Sequence, residues 1–163
     1  MTQGMEEGAR AATAEDLEVV LAMAGAAREG VAEARGGDMW ITAMAAPLPL
    51  DEQLQAALAN VDHLVTVGTL DDTVVGYAWT TARELRDGRN VAEVEELFVL
   101  PDARGVAVGE AMLKHVIAWA TDRGCVAIDS TALPGDRATK NFFETFGLKA
   151  RAILVHRSLA DEQ

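Results

Sequence analysis

The sequence has 163 residues, the length of one domain, and its 50% hydrophobic and 25% charged residues are typical of a folded globular protein. Acidic residues outnumber basic ones 26 to 14, and the formal net charge of -12 argues against nucleic acid as a partner. The same charge favours amines, basic peptides or polyamines as substrates, or simply keeps the chain in solution. The single cysteine, Cys125, excludes an intramolecular disulfide and a cysteine-rich zinc site.

The N-terminal residues lead us to expect no targeting signal. The first ten residues include Glu6 and Glu7 and no apolar run, so we expect a cytoplasmic protein with neither a signal peptide nor a membrane partner. We predict a flexible leader over residues 1–8, one domain over residues 9–158 and a polar tail over residues 159–163. The three histidines lack metal-ligand spacing, so no metal site is predicted.

The N-terminal half predicts a strand, two helices and a hairpin. Residues 9–12 suit a short strand, and Thr13 can cap a helix that runs to about Glu29, with Asp16 as its capping-box partner. Residues 39–50 are apolar, contain two prolines and have no clear period. They are open to three interpretations: a lid, a wall of the substrate pocket, or a homodimer interface. The elements predicted next are a helix over residues 51–58 and paired strands over residues 63–67 and 74–81, with the turn at residues 68–72.

The C-terminal half alternates strands with helices. Residues 92–100 predict a third long strand that Pro101 closes. From residue 108 to 123 apolar residues recur at three- and four-residue steps, which is the period of an amphipathic helix. A strand over residues 126–132, a helix over 137–146 and a last strand over 148–156 follow. The predicted order is βααβββαβαβ, an α+β arrangement.

A turn of small residues joins the third long strand to the helix that follows it. Its sequence from Arg104 to Gly109 is R-G-V-A-V-G. Backbone N–H groups at such a helix start can converge on an anion, and they favour a diphosphate. Two other phosphate-binding loops are excluded, because the chain has neither G-x-x-x-x-G-K-S/T nor G-x-G-x-x-G after a first strand.

Three stretches carry linked motifs of one superfamily. Residues 95–101, E-E-L-F-V-L-P, are similar to a strand end of the form E-E-L-F/Y-V-x-P, and residues 104–109 are similar to Q/R-x-x-G-x-G/A with Ala107 where glycine is usual. Residues 139–148 are similar to A-x-x-F/L-Y/F-E-x-x-G-F/L, with Thr139 in place of the alanine. The sequence thus resembles the GNAT superfamily of acyl-CoA N-acyltransferases over almost its whole length. The resemblance implies a GNAT-like mixed, twisted β-sheet flanked by helices.

The resemblance also implies acetyl-CoA, a coenzyme A thioester, as the cofactor. Main-chain groups of the strand end would pair with the pantetheine arm, amides of the turn would hold the pyrophosphate, and the start of the last helix would close over the thiol. The implied cofactor-binding residues are Leu97, Phe98, Val99, Arg104, Gly105, Val106, Ala107, Val108, Gly109, Glu110, Arg137, Lys140, Asn141 and Phe143. Among the cations, a solvated surface position is an equal alternative for Lys140.

Three glutamates on the predicted strand are candidates for the chemistry. Because side chains alternate along a strand, Glu93 and Glu95 are predicted to share one face with Leu97 and Val99, and Glu96 to take the other. A carboxylate beside the cofactor can deprotonate an ammonium, directly or through water, and bind it by charge. Acids at corresponding positions serve family members in this way, so Glu95 is the first candidate base and Glu93 the second. The alternative is that they are solvated residues near a sheet edge.

The family's usual general acid is a tyrosine on the last helix, and Phe143 stands at the matching position. A phenyl ring cannot donate a proton. The only tyrosine, Tyr77, is expected to be packed in a middle strand with its hydroxyl satisfied. Weaker candidates for the acceptor pocket, each with an ordinary core or strand position as its alternative, are Trp40, Trp79, Ser130 and Thr131.

The implied activity is that of an N-acetyltransferase, which transfers an acetyl or similar acyl group to a primary amine of a small molecule or peptide. One alternative is a non-catalytic acyl-CoA-binding regulatory module, because Phe143 and Ala107 replace the usual residues. Another is an interaction protein that keeps only the fold and uses residues 39–50 as its interface.

Overall fold

A computed structural model of the chain describes residues 4–160. Within them, five strands form one sheet and five α-helices flank it. The strands are β1 (Glu7–Ala11), β2 (His63–Leu70), β3 (Thr73–Glu84), β4 (Asn90–Val99) and β5 (Cys125–Ser130). The helices are α1 (Leu17–Ala32), α2 (Gly37–Ala43), α3 (Leu50–Ala59), α4 (Val108–Asp122) and α5 (Arg137–Thr145). The predicted leader and tail lie partly outside the described residues.

The sheet is mixed, as predicted. Its strands lie in chain order; neighbours from β1 to β4 pair antiparallel, and β4 pairs parallel with β5. The β2–β3 hairpin closes through Asp71 and Asp72, whose φ angles of 47° and 63° are those of a tight two-residue turn. This turn is shorter than the predicted one, so both strands extend beyond their predicted ends.

Both faces of the sheet are covered. On one face α1 and α3 pack against side chains of β2 and β3 that include Tyr77 and Trp79. On the other face α4 packs through Met112, Leu113 and Val116. Here α4 lies so close to β2 that a Cβ on Gly68 would be 2.5 Å from Cγ1 of Val108, so only glycine fits at this contact. This packing fixes the start of α4 relative to the sheet.

The structure differs from the prediction at two elements, one that was missed and one that was predicted wrongly. Helix α2 occupies part of the apolar stretch over residues 39–50, for which no element was predicted. It begins after Gly36, whose φ of 79° breaks the chain direction between α1 and α2. The prediction of a last strand over residues 148–156 was wrong. These residues form no strand within the described chain, and their side chains are largely exposed. The observed order is therefore βαααβββαβα.

No helix within residues 4–160 combines the length and the apolar character that crossing a bilayer requires.

Candidate functional site

A cleft opens where β4 extends beyond the end of its pairing with β5. The parallel pairing ends at Val94 and Ser130, and the Ser130 hydroxyl donates a hydrogen bond of 2.9 Å to the Val94 carbonyl. Strand β4 continues to Val99, and within the described part of the chain no strand pairs with its last five residues on that side. The resulting cleft has a volume of about 760 Å³. Its floor is the free edge of β4, where backbone N–H and C=O groups can bind a ligand.

Most of the predicted cofactor-binding residues line this cleft: Leu97, Phe98, Val99, Arg104, Gly105, Ala107, Gly109, Glu110 and Phe143. The sequence did not single out several other lining residues from α1 and from the loop and helix after β5, among them Ala27, Val31, Leu133, Asp136 and Phe142. Apolar residues of α1 carry no motif, so only the packing of α1 beside β4 shows that they face the cleft.

The remaining predicted residues do not line the cleft. Val108 is buried in the core under α4, and Val106 packs against the same core. Arg137 and Asn141 are exposed on α5. The Lys140 ammonium lies 3.0 Å from a carboxylate oxygen of Glu144 on the exposed face of that helix. For Lys140 the structure therefore shows the solvated alternative.

The turn before α4 has the backbone shape of an anion-binding loop. Gly105 and Ala107 have φ angles of 86° and 59°, and Ala107 is the N-cap of α4. The first intrahelical bond runs from the Ala111 N–H to the Ala107 carbonyl, so the N–H groups of residues 108–110 have no acceptor in the helix. A left-handed alanine costs roughly 1–2 kcal/mol relative to an ordinary conformation. Glycine adopts this conformation without that cost, so glycine suits position 107 better than alanine does.

Arg104 and Gly109 stand at the two ends of this turn. Arg104 donates from Nε to the Val99 carbonyl at 2.9 Å, and its guanidinium lies 5.6 Å from the centre of the Phe98 ring. This contact holds a positive charge beside the cleft. At the other end, a Cβ on Gly109 would lie 3.3 Å from Cε2 of Phe142, so a larger residue there would require the Phe142 ring to move.

The three glutamates of β4 all have side-chain contacts on the face opposite α4. Trp79 of β3 pairs with Glu96 and the next residue, Thr80, pairs with Val94, which leaves Glu95 as the extra residue of a β-bulge. The bulge breaks the alternation, so Glu95 bonds Thr81 and Glu96 bonds Tyr77, while Leu97 and Val99 pack against the α4 core. The prediction that Glu96 would lie on the face opposite Glu93 and Glu95 was wrong.

Glu96 is a structural residue. Its two carboxylate oxygens accept bonds of 2.9 and 3.1 Å from Arg28 of α1, and the Tyr77 hydroxyl donates to it at 2.8 Å. Burial, and then the negative charge of Glu96, raise the pKa of Tyr77 far above its usual value. Tyr77 is fully buried and, as expected, has a satisfied hydroxyl, so it is poorly suited to donate a proton during a reaction.

Glu95 has a different environment. Its side chain is half-buried, and the Thr81 hydroxyl donates to its Oε1 at 2.8 Å. Burial raises the pKa of Glu95; the Thr81 bond opposes this rise, and the charges of Glu93 and Glu96 add to it. A carboxylate with a raised pKa and one oxygen free of the Thr81 bond is a suitable proton acceptor.

A smaller cavity adjoins the cleft. It has a volume of about 230 Å³ and is lined by Trp40, Met44, Glu93, Glu95 and Thr131. Three of these residues, Trp40, Glu95 and Thr131, also line the large cleft, so the two spaces meet at Glu95. Residues of the apolar stretch thus form a pocket wall, one of its three interpretations. Trp79 instead lies in the core, where its Nε1 is 3.2 Å from Nδ1 of His63.

Solved structures share this fold. A transcriptional regulator from Bacillus halodurans is 21% identical, and the match covers 94% of this chain and 100% of that one with a TM-score of 0.73. Aminoglycoside N-acetyltransferase AAC(6')-Iy, solved with CoA, is 18% identical, with 98% and 99% covered and a TM-score of 0.73. Glucosamine-6-phosphate N-acetyltransferase from Arabidopsis thaliana is 13% identical, with 95% and 99% covered and a TM-score of 0.69. At these identities the similarity shows the fold.

The family itself is shown by the sequence. The family model described as the acetyltransferase (GNAT) family matches residues 38–148. That match covers α2 from its second residue, α3, the strands β2 to β5, the turn at residues 104–109, α4 and α5. The chain therefore belongs to the acetyltransferase (GNAT) family.

Proposed function

We propose that this chain is an N-acetyltransferase that binds acetyl-CoA in the cleft beside β4 and transfers the acetyl group to a primary amine of a small molecule or peptide. The observation that carries the proposal is the position of Glu95, a half-buried carboxylate with a raised pKa where the large cleft meets the smaller cavity. The large cleft would hold the donor, and the smaller cavity the amine.

The residues of the cleft fit a coenzyme A thioester. The free edge of β4 offers main-chain groups to an amide-containing arm, and the start of α4 offers N–H groups and the positive end of a helix dipole to a diphosphate. Gly109 keeps this surface bare, and Arg104 adds a cation in a chain of net charge -12. Acetyl-CoA supplies the acetyl group as a thioester, which is already activated for transfer.

The smaller cavity fits an ammonium with an apolar body. Glu93 and Glu95 attract a positive charge, whereas Trp40 and Met44 offer aromatic and thioether surface. An ammonium must lose a proton before its nitrogen can attack a carbonyl carbon, and Glu95 is the group that would accept that proton. The attack forms the N–C bond of the amide and breaks the C–S bond of the thioester. CoA leaves as a thiolate, which takes the second proton that the nitrogen loses, directly or through water. The Thr81 hydrogen bond fixes one oxygen of Glu95 and leaves the other for the amine.

One observation favours a second function. Phe143 is buried in the cleft wall at the place where the family has a proton-donating tyrosine. The hydroxyl of Tyr77 already donates its hydrogen bond to Glu96. A non-catalytic acyl-CoA-binding module would need neither a donor nor a base. It would bind acetyl-CoA but would release no CoA thiol when any amine is added.

Calorimetry with acetyl-CoA, combined with a thiol-release assay over a panel of primary amines, separates the two functions. An enzyme binds acetyl-CoA and releases CoA thiol in the presence of a suitable amine, whereas a binding module only binds acetyl-CoA. If acetyl-CoA does not bind, both functions are refuted. For the enzyme, we expect Glu95→Gln to retain the acetyl-CoA affinity and to lower kcat by about 10²–10⁴-fold, the usual contribution of a general base. The exposed Glu18 of α1 provides a matched control, since Glu18→Gln should change neither quantity.

The pH dependence of kcat gives a second test of Glu95 as the proton acceptor. Because the pKa of Glu95 is raised, its carboxylate is lost at a higher pH than for an ordinary glutamate. The acid limb of the kcat profile should therefore lie above the usual glutamate range, and it should disappear in Glu95→Gln. Full kcat of Glu95→Gln across the pH range would show that another group accepts the proton.

A further inference from the structure

Four hydroxyl side chains line the large cleft: Tyr77, Ser130, Thr131 and Thr139. The first two donate hydrogen bonds to oxygens of β4, and Thr139 donates to Asp136 at 2.7 Å. Within the described residues no backbone or side-chain oxygen accepts a hydrogen bond from the Thr131 hydroxyl. Thr131 therefore offers the cleft a hydroxyl that can bond a ligand.

Thr131 lies where the two strands beside the cleft separate. The last pair of the parallel ladder joins Val94 to Ser130, so Glu95 and Thr131 are the next residues on the two strands. Both of them line the large cleft and the smaller cavity, and the side chain of Thr131 is exposed to these spaces. An acetyl group that moves from the donor in the cleft to an amine in the cavity must pass between them.

The chemistry of the side chains at this junction distinguishes Thr131 from its neighbours. Trp40 also lines both spaces, but an indole N–H only donates and cannot take up a proton. Glu95 is occupied as the acceptor of the first proton of the ammonium. A hydroxyl has one donor and two acceptor sites, and its hydrogen rotates freely. Thr131 can therefore accept a proton on one side and give one up on the other without changing its own charge.

The charges around the junction disfavour a free thiolate. Glu93 lines the smaller cavity and Glu96 lines the large cleft, and a negative charge close to a carboxylate is destabilised. Among the described lining residues the one cation is Arg104, which lies at the turn before α4 and bonds the Val99 carbonyl. A sulfur that leaves beside Glu95 therefore needs a hydrogen-bond donor there.

We propose that Thr131 is a catalytic residue whose hydroxyl carries the second proton of the amine to the leaving sulfur, an inference that rests on the proposed function. As the N–C bond forms and the C–S bond breaks, the nitrogen gives its second proton to Oγ1 of Thr131. The same Oγ1 gives its own hydrogen to the sulfur. The products are the amide and CoA as a thiol, Thr131 is again a neutral hydroxyl, and Glu95 releases the first proton to solvent. Thr131 thus replaces both the missing tyrosine and a relaying water.

A pH titration of CoA bound to the protein tests the contact with sulfur without any amine, and ultraviolet absorbance follows the thiolate. A donated hydrogen bond stabilises the thiolate and lowers the pKa of the thiol. In Thr131→Val the bound thiol should titrate about one pH unit higher than in the wild type, the effect of losing one hydrogen bond to a charged group. Thr131→Ser keeps the hydroxyl and should keep the wild-type value. Equal thiol pKa values in the wild type and Thr131→Val overturn the proposal.

Thiol release in the presence of an amine tests the proton transfer. Thr131→Val should bind acetyl-CoA with unchanged affinity and lower kcat by about 10²-fold, whereas Thr131→Ser should retain most of kcat. Thr73 is an exposed threonine that lines neither space, so Thr73→Val should change nothing. A wild type that releases no thiol with any amine refutes the proposed function itself. A wild type that turns over, with full kcat in folded Thr131→Val, overturns only the role of Thr131.

Discussion

Replacing Arg28 with methionine would remove the cation that neutralises the buried carboxylate of Glu96. The two side chains are 13% and 2% exposed, and two hydrogen bonds join them. Arg28 also donates to the carbonyls of Ala24 and Ala46, so it links α1, the segment after α2 and β4. Methionine keeps most of the aliphatic stem, so the change tests the charge and the hydrogen bonds more than the packing.

The expected loss of stability can be worked out from this geometry. Removing one partner of a buried ion pair leaves an uncompensated charge and costs about 3–5 kcal/mol. With about 2.1 cal/mol/K of unfolding entropy per residue, 163 residues give about 0.34 kcal/mol/K. The melting temperature of Arg28→Met should therefore fall by about 9–15 °C.

Thermal unfolding followed by circular dichroism, with urea unfolding as a second method, measures this loss. The double variant Arg28→Met, Glu96→Leu should recover most of the stability, because no charge is then left buried. Tyr77 would still lose its acceptor, which limits the recovery. A loss below about 1 kcal/mol in the single variant would match an exposed pair and would refute the view that Glu96 depends on Arg28.

Three further predictions concern the cofactor cleft, and isothermal titration with acetyl-CoA measures each. Gly109→Trp should abolish binding, because even a Cβ there lies 3.3 Å from Phe142, whereas Gly25→Ala, on an open helix face, should bind normally. Ala107→Gly should keep the affinity or raise it, with stability changed by less than about 1 kcal/mol, because relief of the left-handed alanine is offset by the greater freedom of unfolded glycine. Arg104→Ala should weaken binding about tenfold, as loss of one charged contact does, and Lys140→Ala should leave it unchanged because Lys140 pairs with Glu144 away from the cleft.

The parts of the fold that the sequence predicted well depend on local signals. The apolar period of α4 and the turn residues of the β2–β3 hairpin both act within a few residues of chain. The turn from Arg104 to Gly109 is likewise indicated by a short local motif, although Ala107 takes a left-handed conformation that alanine disfavours. For this reason the cleft around the turn contains most of the residues that the motif indicated.

The failures concern pairing between distant residues. The bulge at Glu95 depends on how Trp79 and Thr80 meet β4, and no pattern within β4 alone reveals it. The predicted last strand has the composition of a strand, but composition does not show whether a neighbouring edge is within reach. Helix α2 was missed because seven residues are too few to establish a helical period beside two prolines.

The bulge is also what gives three neighbouring glutamates different chemistry. Glu96 has both oxygens bonded to Arg28 and one of them also to Tyr77, so both oxygens are already engaged within the protein. Glu93 is partly exposed and lies 3.9 Å from Nε of Arg83, so water and a cation stabilise its charge. Glu95 lacks a basic partner among the described residues. It is half-buried, and the negative charges of Glu93 and Glu96 lie near it. A strictly alternating strand would have turned Glu96 and its negative charge to the opposite face. The extra residue in β4 instead keeps that charge beside Glu95, where it adds to the rise in the pKa of Glu95 that burial and then Glu93 cause.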